Sequence, residues 1–264
     1  MSATRQSRPN AWPHPEAAII ARSLALRLPP DHRLEPHRHA WAQVVYATEG
    51  VMTVHTEDGT WVVPPQRAAW VPGGMEHEVE TTGRVRMRTV YLRGDRTTGL
   101  PEHGAVLAVT PLLRELILET IRRGMLREDV PEEARLVDVL VDQLRELPAA
   151  PLQLAWPRDP RARVVAERVT ADLAAAAPLT ILAEGSGASV RTLERLFRRE
   201  TDMTFHGWRQ QARLMEAMRR LAAGESVTTT ALAVGFQGAS AFIAMFQRLL
   251  GSTPGAYFRR DSGS

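Results

Sequence analysis

Ala183-Glu-Gly-Ser-Gly187-Ala-Ser-Val190-Arg-Thr-Leu193-Glu-Arg-Leu196 is the stretch that decides the architecture of the C-terminal half. A small residue at Ala183 lets a second helix cross the first closely, and Gly187 permits the tight turn. Val190, Leu193 and Leu196 then recur at helical spacing and seat the second helix on a core. The pattern returns in part 48 residues on, at Ala231, Gly235 and Phe236, followed by Phe242 and Phe246. One glycine-linked helix pair is a weak signal. Two, joined by a helix through Phe205–Met218, predict paired helix-turn-helix units on a shared support. Trp208, inside that joining helix, reads as a core residue.

Upstream of these units lie two further helical stripes. Leu112, Leu113, Leu116, Ile117 and Ile121 recur at helical spacing, as do Leu136, Val137, Leu140, Val141 and Leu144. Pro111 and Pro131 stand where a first helical turn tolerates proline. Helices are predicted over 111–123 and 132–146, and their apolar stripes suit capping the preceding domain, a dimer interface, or both. Residues 148–160 hold four prolines and read as a linker. The helical core beyond it is expected to share no residues with the domain before it.

Before Gly94 the chain reads as strands. Ala17–Leu28 is apolar, and Trp41–Thr48 and Val51–Glu57 flank Glu49-Gly50, which reads as a hairpin loop. Asp58-Gly59 marks a turn into Thr60–Val63, and Pro64-Pro65 stops that strand. Arg67–Val71 resumes one, Pro72-Gly73-Gly74 turns again, and Val85–Leu92 completes the set. Short strands between glycine and proline turns predict a barrel or sandwich. The expected class is therefore α+β multidomain: a β-barrel domain over 1–104, a helical hairpin over 105–154 and an all-α domain over 155–264.

Composition narrows the chemistry. With 264 residues, 44% hydrophobic and 24% charged, the chain is of the ordinary globular kind. Zero cysteines exclude disulfides, thiol catalysis and Cys-type zinc sites. No stretch approaches the roughly 20 apolar residues that span a bilayer, and Met1–Pro15 lacks the apolar run of a secretory signal. No membrane partner and a cytoplasmic location are the expectations. All 33 basic residues are arginine. Residues 1–154 carry 18 arginines against 20 acidic residues, net −2, and residues 155–264 carry 15 against 10, net +5. Seven of the eight histidines lie at or before His103. A basic helical half favours a polyanionic partner.

The helical half resembles the DNA-binding domain of the arabinose-regulator (AraC) family of bacterial transcription factors. The matching stretches are Ser189-Val-Arg-Thr-Leu-Glu-Arg-Leu-Phe197, Arg213-Leu-Met-Glu-Ala217, Ala231-Leu-Ala-Val-Gly-Phe236 and Gly251-Ser-Thr-Pro-Gly-Ala-Tyr-Phe258. The resemblance implies two helices entering successive major-groove segments of double-stranded promoter DNA. Asp202 stands where the family has glycine, and it can take the left-handed cap. Helix faces nominate the contacts. Arg191, Thr192 and Arg195 lie outward near the start of the first recognition helix, where arginine pairs bidentately with guanine. Arg198 and Arg199 fall later, toward phosphate. In the second unit Gln237 and Ser240 are the candidates, Ser240 equally as an N-cap, with Arg248 near the backbone. Gln247 and the small residues after Gln237 imply that this helix reads fewer bases.

In the front half, Pro36-His-Arg-His-Ala-Trp-Ala-Gln43 places His37, His39 and Gln43 at offsets 0, 2 and 6. If the segment is extended, all three share a face. Pro72-Gly-Gly-Met-Glu-His77 brings a third imidazole. Three imidazoles and an amide oxygen would hold one divalent ion, with Zn, Ni and Fe the leading choices. These stretches resemble the two motifs of cupin barrels. His37, His39 and Gly50 match the first, with Gln43 replacing its glutamate. Pro72, Gly74 and His77 match the second, with Thr81 in place of asparagine. Together the resemblances identify a cupin-like sensor fused to a DNA-binding domain, as in the subgroup that includes a nitroimidazole-efflux regulator. Trp41, Trp70 and Met87 are candidate walls of an effector pocket.

Three functions are in play. The first is a transcription regulator, not an enzyme, whose barrel senses a small-molecule effector or a divalent metal. It would act as a homodimer, with RNA polymerase a further possible contact. The second is a metal-dependent cupin oxygenase or isomerase, which leaves the paired helical units unexplained. The third is a DNA-binding protein whose barrel only dimerises it.

Overall fold

The computed structural model describes residues 18–65, 67–147, 152–175 and 177–259. Its N-terminal part is an antiparallel sheet built around two long strands. Six strands come first: β1 (Ile19–Leu28), β2 (Arg33–His37), β3 (Ala42–Thr56), β4 (Gly59–Val63), β5 (Arg67–Val71) and β6 (His77–Leu92). β3 and β6 pair from Ala42↔Leu92 to Thr56↔His77. One half of β3 also pairs with β5 and the other half with β4.

Glu49-Gly50 is not the hairpin loop that the sequence predicts. β3 continues through it, and the register with β6 shifts on both sides of Glu49. Gly50 has φ of 83°, and a Cβ there would stand 2.3 Å from the Arg84 carbonyl oxygen. This is a bulge that bends the strand without ending it. Long-range pairing with β6 holds both halves in one strand, which no local turn signal could reveal.

The predicted 105–154 region is not wholly helical. It contributes β7 (Ala105–Ala108), β8 (Met125–Arg127) and β9 (Gln153–Ala155), which join the sheet at β5, β1 and β4. Segments of three or four residues are too short to show a period. Among the described residues, the eight strand pairings link nine strands without returning on themselves. The expected barrel is thus an open, bent sheet.

Strand alternation gives the sheet two apolar faces. Val44, Tyr46, Trp70, Val90 and Leu92 meet Leu113, Ile117, Val137, Leu140 and Leu144 of α1 (Pro111–Arg123) and α2 (Pro131–Arg145). The other face carries Val45, Ala47, Val71 and Met87. The helical part follows as α3 (Pro160–Ala171), α4 (Leu179–Ala183), α5 (Val190–Thr201), α6 (Phe205–Ala222), α7 (Val227–Ala233), α8 (Ala239–Leu250) and α9 (Pro254–Arg259). The side chains of Ser189, Thr204 and Ser226 accept from backbone N–H groups at the starts of α5, α6 and α7. Asp202 closes α5 in the left-handed conformation, φ 57°. Gly235 ends the first helix of the second unit at φ 84°, where a Cβ would lie 2.5 Å from both the Leu173 oxygen and the buried Arg213 guanidinium. Trp208 is fully buried, as core.

The expectation of two separate cores fails. Sheet residues Val62, Val63 and Trp61 belong to the same apolar cluster as Phe197, Trp208, Met215 and Phe246. β9, inside the predicted linker, makes the join. It pairs with β4, while Trp208 Nε1 donates to the Ala155 carbonyl at 2.7 Å and Gln211 Nε2 to the Gln153 carbonyl at 3.3 Å. Glu200 accepts from the backbone N–H groups of Arg158 and Asp159, each at 2.9 Å. Among the described residues no helix is long and apolar enough to cross a membrane.

Gly50→Ala combines a left-handed conformation with a clash against backbone, so it is expected to cost about 2–4 kcal/mol. Gly251, the left-handed C-cap of α8 at φ 75° with nothing within 4 Å of an added Cβ, supplies the control. Gly251→Ala carries only the conformational part, about 1–2 kcal/mol. Urea denaturation of both variants tests the bulge, and equal losses would refute it.

Candidate functional site

Four polar side chains predicted to converge do so. His37 ends β2 and His77 begins β6, as direct cross-strand partners. His39 lies in the loop before β3, and Gln43 is the second residue of β3. The expected single extended segment is broken at residues 38–41, so alternation along one strand is not what aligns them. The Pro72-Gly73-Gly74 turn helps hold the loop, because Gly74 N–H donates to the His39 carbonyl at 2.8 Å. Potential ligand atoms of the three histidines lie within 4.8 Å of one another.

Hydrogen bonding sets the chemistry of each donor. Nδ1 of His37 donates to the Glu35 carbonyl at 2.7 Å, Nδ1 of His77 to the Met75 carbonyl at 3.1 Å, and Nδ1 of His39 to the Trp41 carbonyl. A carbonyl only accepts, so each neutral ring carries its proton on Nδ1 and presents a lone pair at Nε2. Burial lowers the pKa of His39, and it pushes His77 down to about 4, favouring the neutral ligand form.

Thr89 fixes the amide. Its hydroxyl donates to the Val44 carbonyl at 3.2 Å, so its oxygen accepts from Gln43 Nε2 at 2.8 Å. Gln43 Nε2 also reaches the Tyr91 hydroxyl at 3.1 Å. Gln43 Oε1 is thereby turned toward His39 Nε2 at 3.1 Å and His77 Nε2 at 3.0 Å. Lone pairs face lone pairs with no proton between them. Such an arrangement is repulsive unless a cation stands among the donors, and imidazole with amide oxygen suits a first-row divalent ion. The donor set fits a metal. Thr89 and Tyr91 were not evident as site residues. They sit within an ordinary alternating strand, and only the register Gln43↔Tyr91 and Val45↔Thr89 brings them here.

The predicted effector wall divides. Met87 is buried on the Gln43 face, one alternation beyond Thr89. Trp41 is half-buried beneath the Arg22 guanidinium, 5.2 Å from its ring centroid. Trp70 does not belong to this wall. It pairs with Val44, one residue out of phase with Gln43↔Val71, and so faces the helical hairpin, where its Nε1 donates to the Pro101 carbonyl at 2.9 Å.

On α5, Leu193, Leu196 and Phe197 are buried while Arg191, Arg195 and Arg198 are exposed along one face. Thr192 is half-buried, and its hydroxyl is bonded to the Ser189 cap at 3.0 Å. Arg199 is ion-paired with Glu200 and lines a cavity of about 520 Å³ together with Trp61, Trp156 and Arg158. That cavity lies between the sheet and the end of the recognition helix. Ser240 and Arg248 on α8 and Gln237 in the turn before it are exposed. Gly238 is the N-cap residue, which leaves Ser240 within the first turn.

Comparison with known proteins agrees with this architecture. Residues 24–177 match the family described as AraC-like ligand binding domain, and residues 182–260 match one described as helix-turn-helix domain. The transcriptional regulator NimR of Escherichia coli is 34% identical over 248 residues, covering 94% of this chain and 89% of that protein. The transcriptional regulator RipA of Corynebacterium glutamicum is 34% identical over 111 residues, 42% of this chain and 32% of that protein. The structure of ToxT from Vibrio cholerae aligns over 92% of this chain and 100% of its own, with 8% identity and a TM-score of 0.40. With paired helix-turn-helix units behind a ligand-binding sheet, this chain belongs to the AraC family of DNA-binding transcription regulators and is not an enzyme.

Proposed function

We propose that the sheet is the sensor of a one-component regulator and that His37, His39, His77 and Gln43 hold one divalent ion, Zn, Ni or Fe, at its centre. The inward-facing lone pairs of His39, His77 and Gln43 carry this reading. When bound, the ion supplies a Lewis-acidic point at which a small-molecule effector can be recognised. Trp41 and Met87 line the approach. The effector state reaches promoter DNA through β9, which hydrogen-bonds β4 on one side and α6 on the other. The DNA target implies a cytoplasmic location, and RNA polymerase is a further partner for the DNA-bound protein.

His39→Ala is expected to remove most bound metal from protein purified without a histidine tag. Thr89→Val should also weaken retention, by about 10–100-fold, because it frees the amide to turn. Gln43→Glu should strengthen it. Metal analysis of the four proteins after reloading tests the set. Wild type that holds no more metal than His39→Ala would reduce the cluster to a polar pocket.

The DNA-binding residues proposed are Arg191, Thr192, Arg195, Arg198 and Arg199 of the first unit, with Gln237, Ser240 and Arg248 of the second. Arg195→Ala should weaken binding to a specific duplex by ~1–3 kcal/mol through loss of a bidentate guanine contact, with little change on a scrambled duplex. Arg198→Ala should weaken both alike, since phosphate carries no sequence code. Fluorescence anisotropy at fixed salt separates the two, and parallel losses for Arg195→Ala would make it a phosphate contact.

The proposed regulator is a homodimer through α1, α2 and β8. Leu112, Val139 and Met125 stand there 52%, 45% and 56% exposed, and large apolar groups on paired helices favour burial against a second copy. Light scattering of the full chain at micromolar concentration should give twice the monomer mass, and Leu112→Asp with Val139→Asp should give the monomer. A monomeric wild type would exclude this interface.

A further inference from the structure

The donor set is neutral throughout. Each histidine is fixed as the Nδ1–H tautomer by a backbone carbonyl. The fourth donor is an amide whose orientation Thr89 sets. Among the described residues, no Asp or Glu side chain joins the three-histidine cluster. A divalent ion among these groups would keep its entire double positive charge. His77 is 1% exposed and Gln43 3% exposed, so that charge is shut off from water on their side of the site, and a buried ion without compensation is strongly unfavourable. Had residue 43 been glutamate, one carboxylate would supply half the compensation from within the protein.

We infer that the sensor site takes a small anion, with a carboxylate or similar oxyanion as the chemical class of effector. The inference rests on the metal reading above and deepens it. The three imidazoles and the amide fill one side of the site, and the half-buried His37 and His39 mark the side open to a ligand. There an anion supplies the charge that residue 43 does not. A neutral molecule of the same size supplies none and binds weakly. The amide at position 43 therefore acts as a specificity-determining residue: it transfers the task of charge compensation from the protein to the effector.

The test uses full-length protein without a histidine tag, loaded with Co²⁺, whose visible absorption bands report changes among its ligands. Binding of Co²⁺ is measured first, then the bands are followed during titration with acetate, azide and, as a neutral control, acetamide. Acetate and azide are expected to shift the bands saturably at millimolar concentrations, and acetamide is not. Gln43→Glu should bind Co²⁺ at least as tightly yet lose anion affinity by about tenfold or more, as a carboxylate beside the ion repels the anion. Thr89→Val is the second variant and should weaken Co²⁺ itself. Stoichiometric Co²⁺ with bands indifferent to both anions would overturn the anion inference and leave the metal reading standing. Absence of Co²⁺ binding would overturn the metal reading and this inference with it. Equal anion affinity in wild type and Gln43→Glu would remove the role assigned to residue 43.

Discussion

The bend of the β3–β6 ribbon is the constraint on which the rest depends. Gln43 pairs with Tyr91 near one end of the ribbon, and Thr56 pairs with His77 at the other. Thirteen residues of straight strand would separate those ends by about 40 Å. Yet Gln43 Oε1 lies 3.0 Å from His77 Nε2. The ribbon must therefore curl back on itself, and the bulge at Glu49-Gly50 sits midway along the distance. The curl needs no closed ring of strand pairing. It brings the three imidazoles and the Gln43 amide together, turns one face to the helical hairpin and leaves the other to continue into the DNA-binding helices.

A second constraint is the accounting of hydrogen-bond donors inside the curl. Thr89 has one proton, and the Val44 carbonyl takes it. The amide of Gln43 must then turn its N–H groups toward Thr89 and its oxygen toward the imidazoles. Three backbone carbonyls make the complementary choice for the rings. The result is a set of acceptors without donors, an arrangement that a cation would satisfy. Thr89 touches no histidine in this arrangement, but it positions the amide oxygen that faces two of them.

The sheet and the DNA-binding helices are joined through a strand of three residues. β9 gives its backbone to β4 along one edge and the carbonyls of Gln153 and Ala155 to α6. α6 in turn packs both helix-turn-helix units, through Trp208 against Phe197 and through Arg213 over Phe236. A flexible linker would let the two parts move independently. Here β4 and α5 instead share one apolar core, through Trp61, Val62 and Val63 on one side and Leu196 and Phe197 on the other.

Several features were determined by the sequence alone. The small residue–glycine–apolar pattern specifies each helix-turn-helix unit because its contacts are local, within about twenty residues. The helical stripes over 111–123 and 132–146 were readable for the same reason, as were the four converging polar side chains, whose chemistry is rare enough to stand out. Only the tertiary structure decided what depends on partners distant in the chain. Glu49-Gly50 carries the same residues whether it is a hairpin loop or a bulge, and pairing with β6 selects the bulge. Trp70 looks like a pocket wall until its register with Val44 turns it to the other face. Residues 153–155 read as linker because three residues have no period, and they become a strand only when β4 presents an edge. Hydrophobic periodicity records which side of a segment is buried, but it carries no information about which remote segment does the burying.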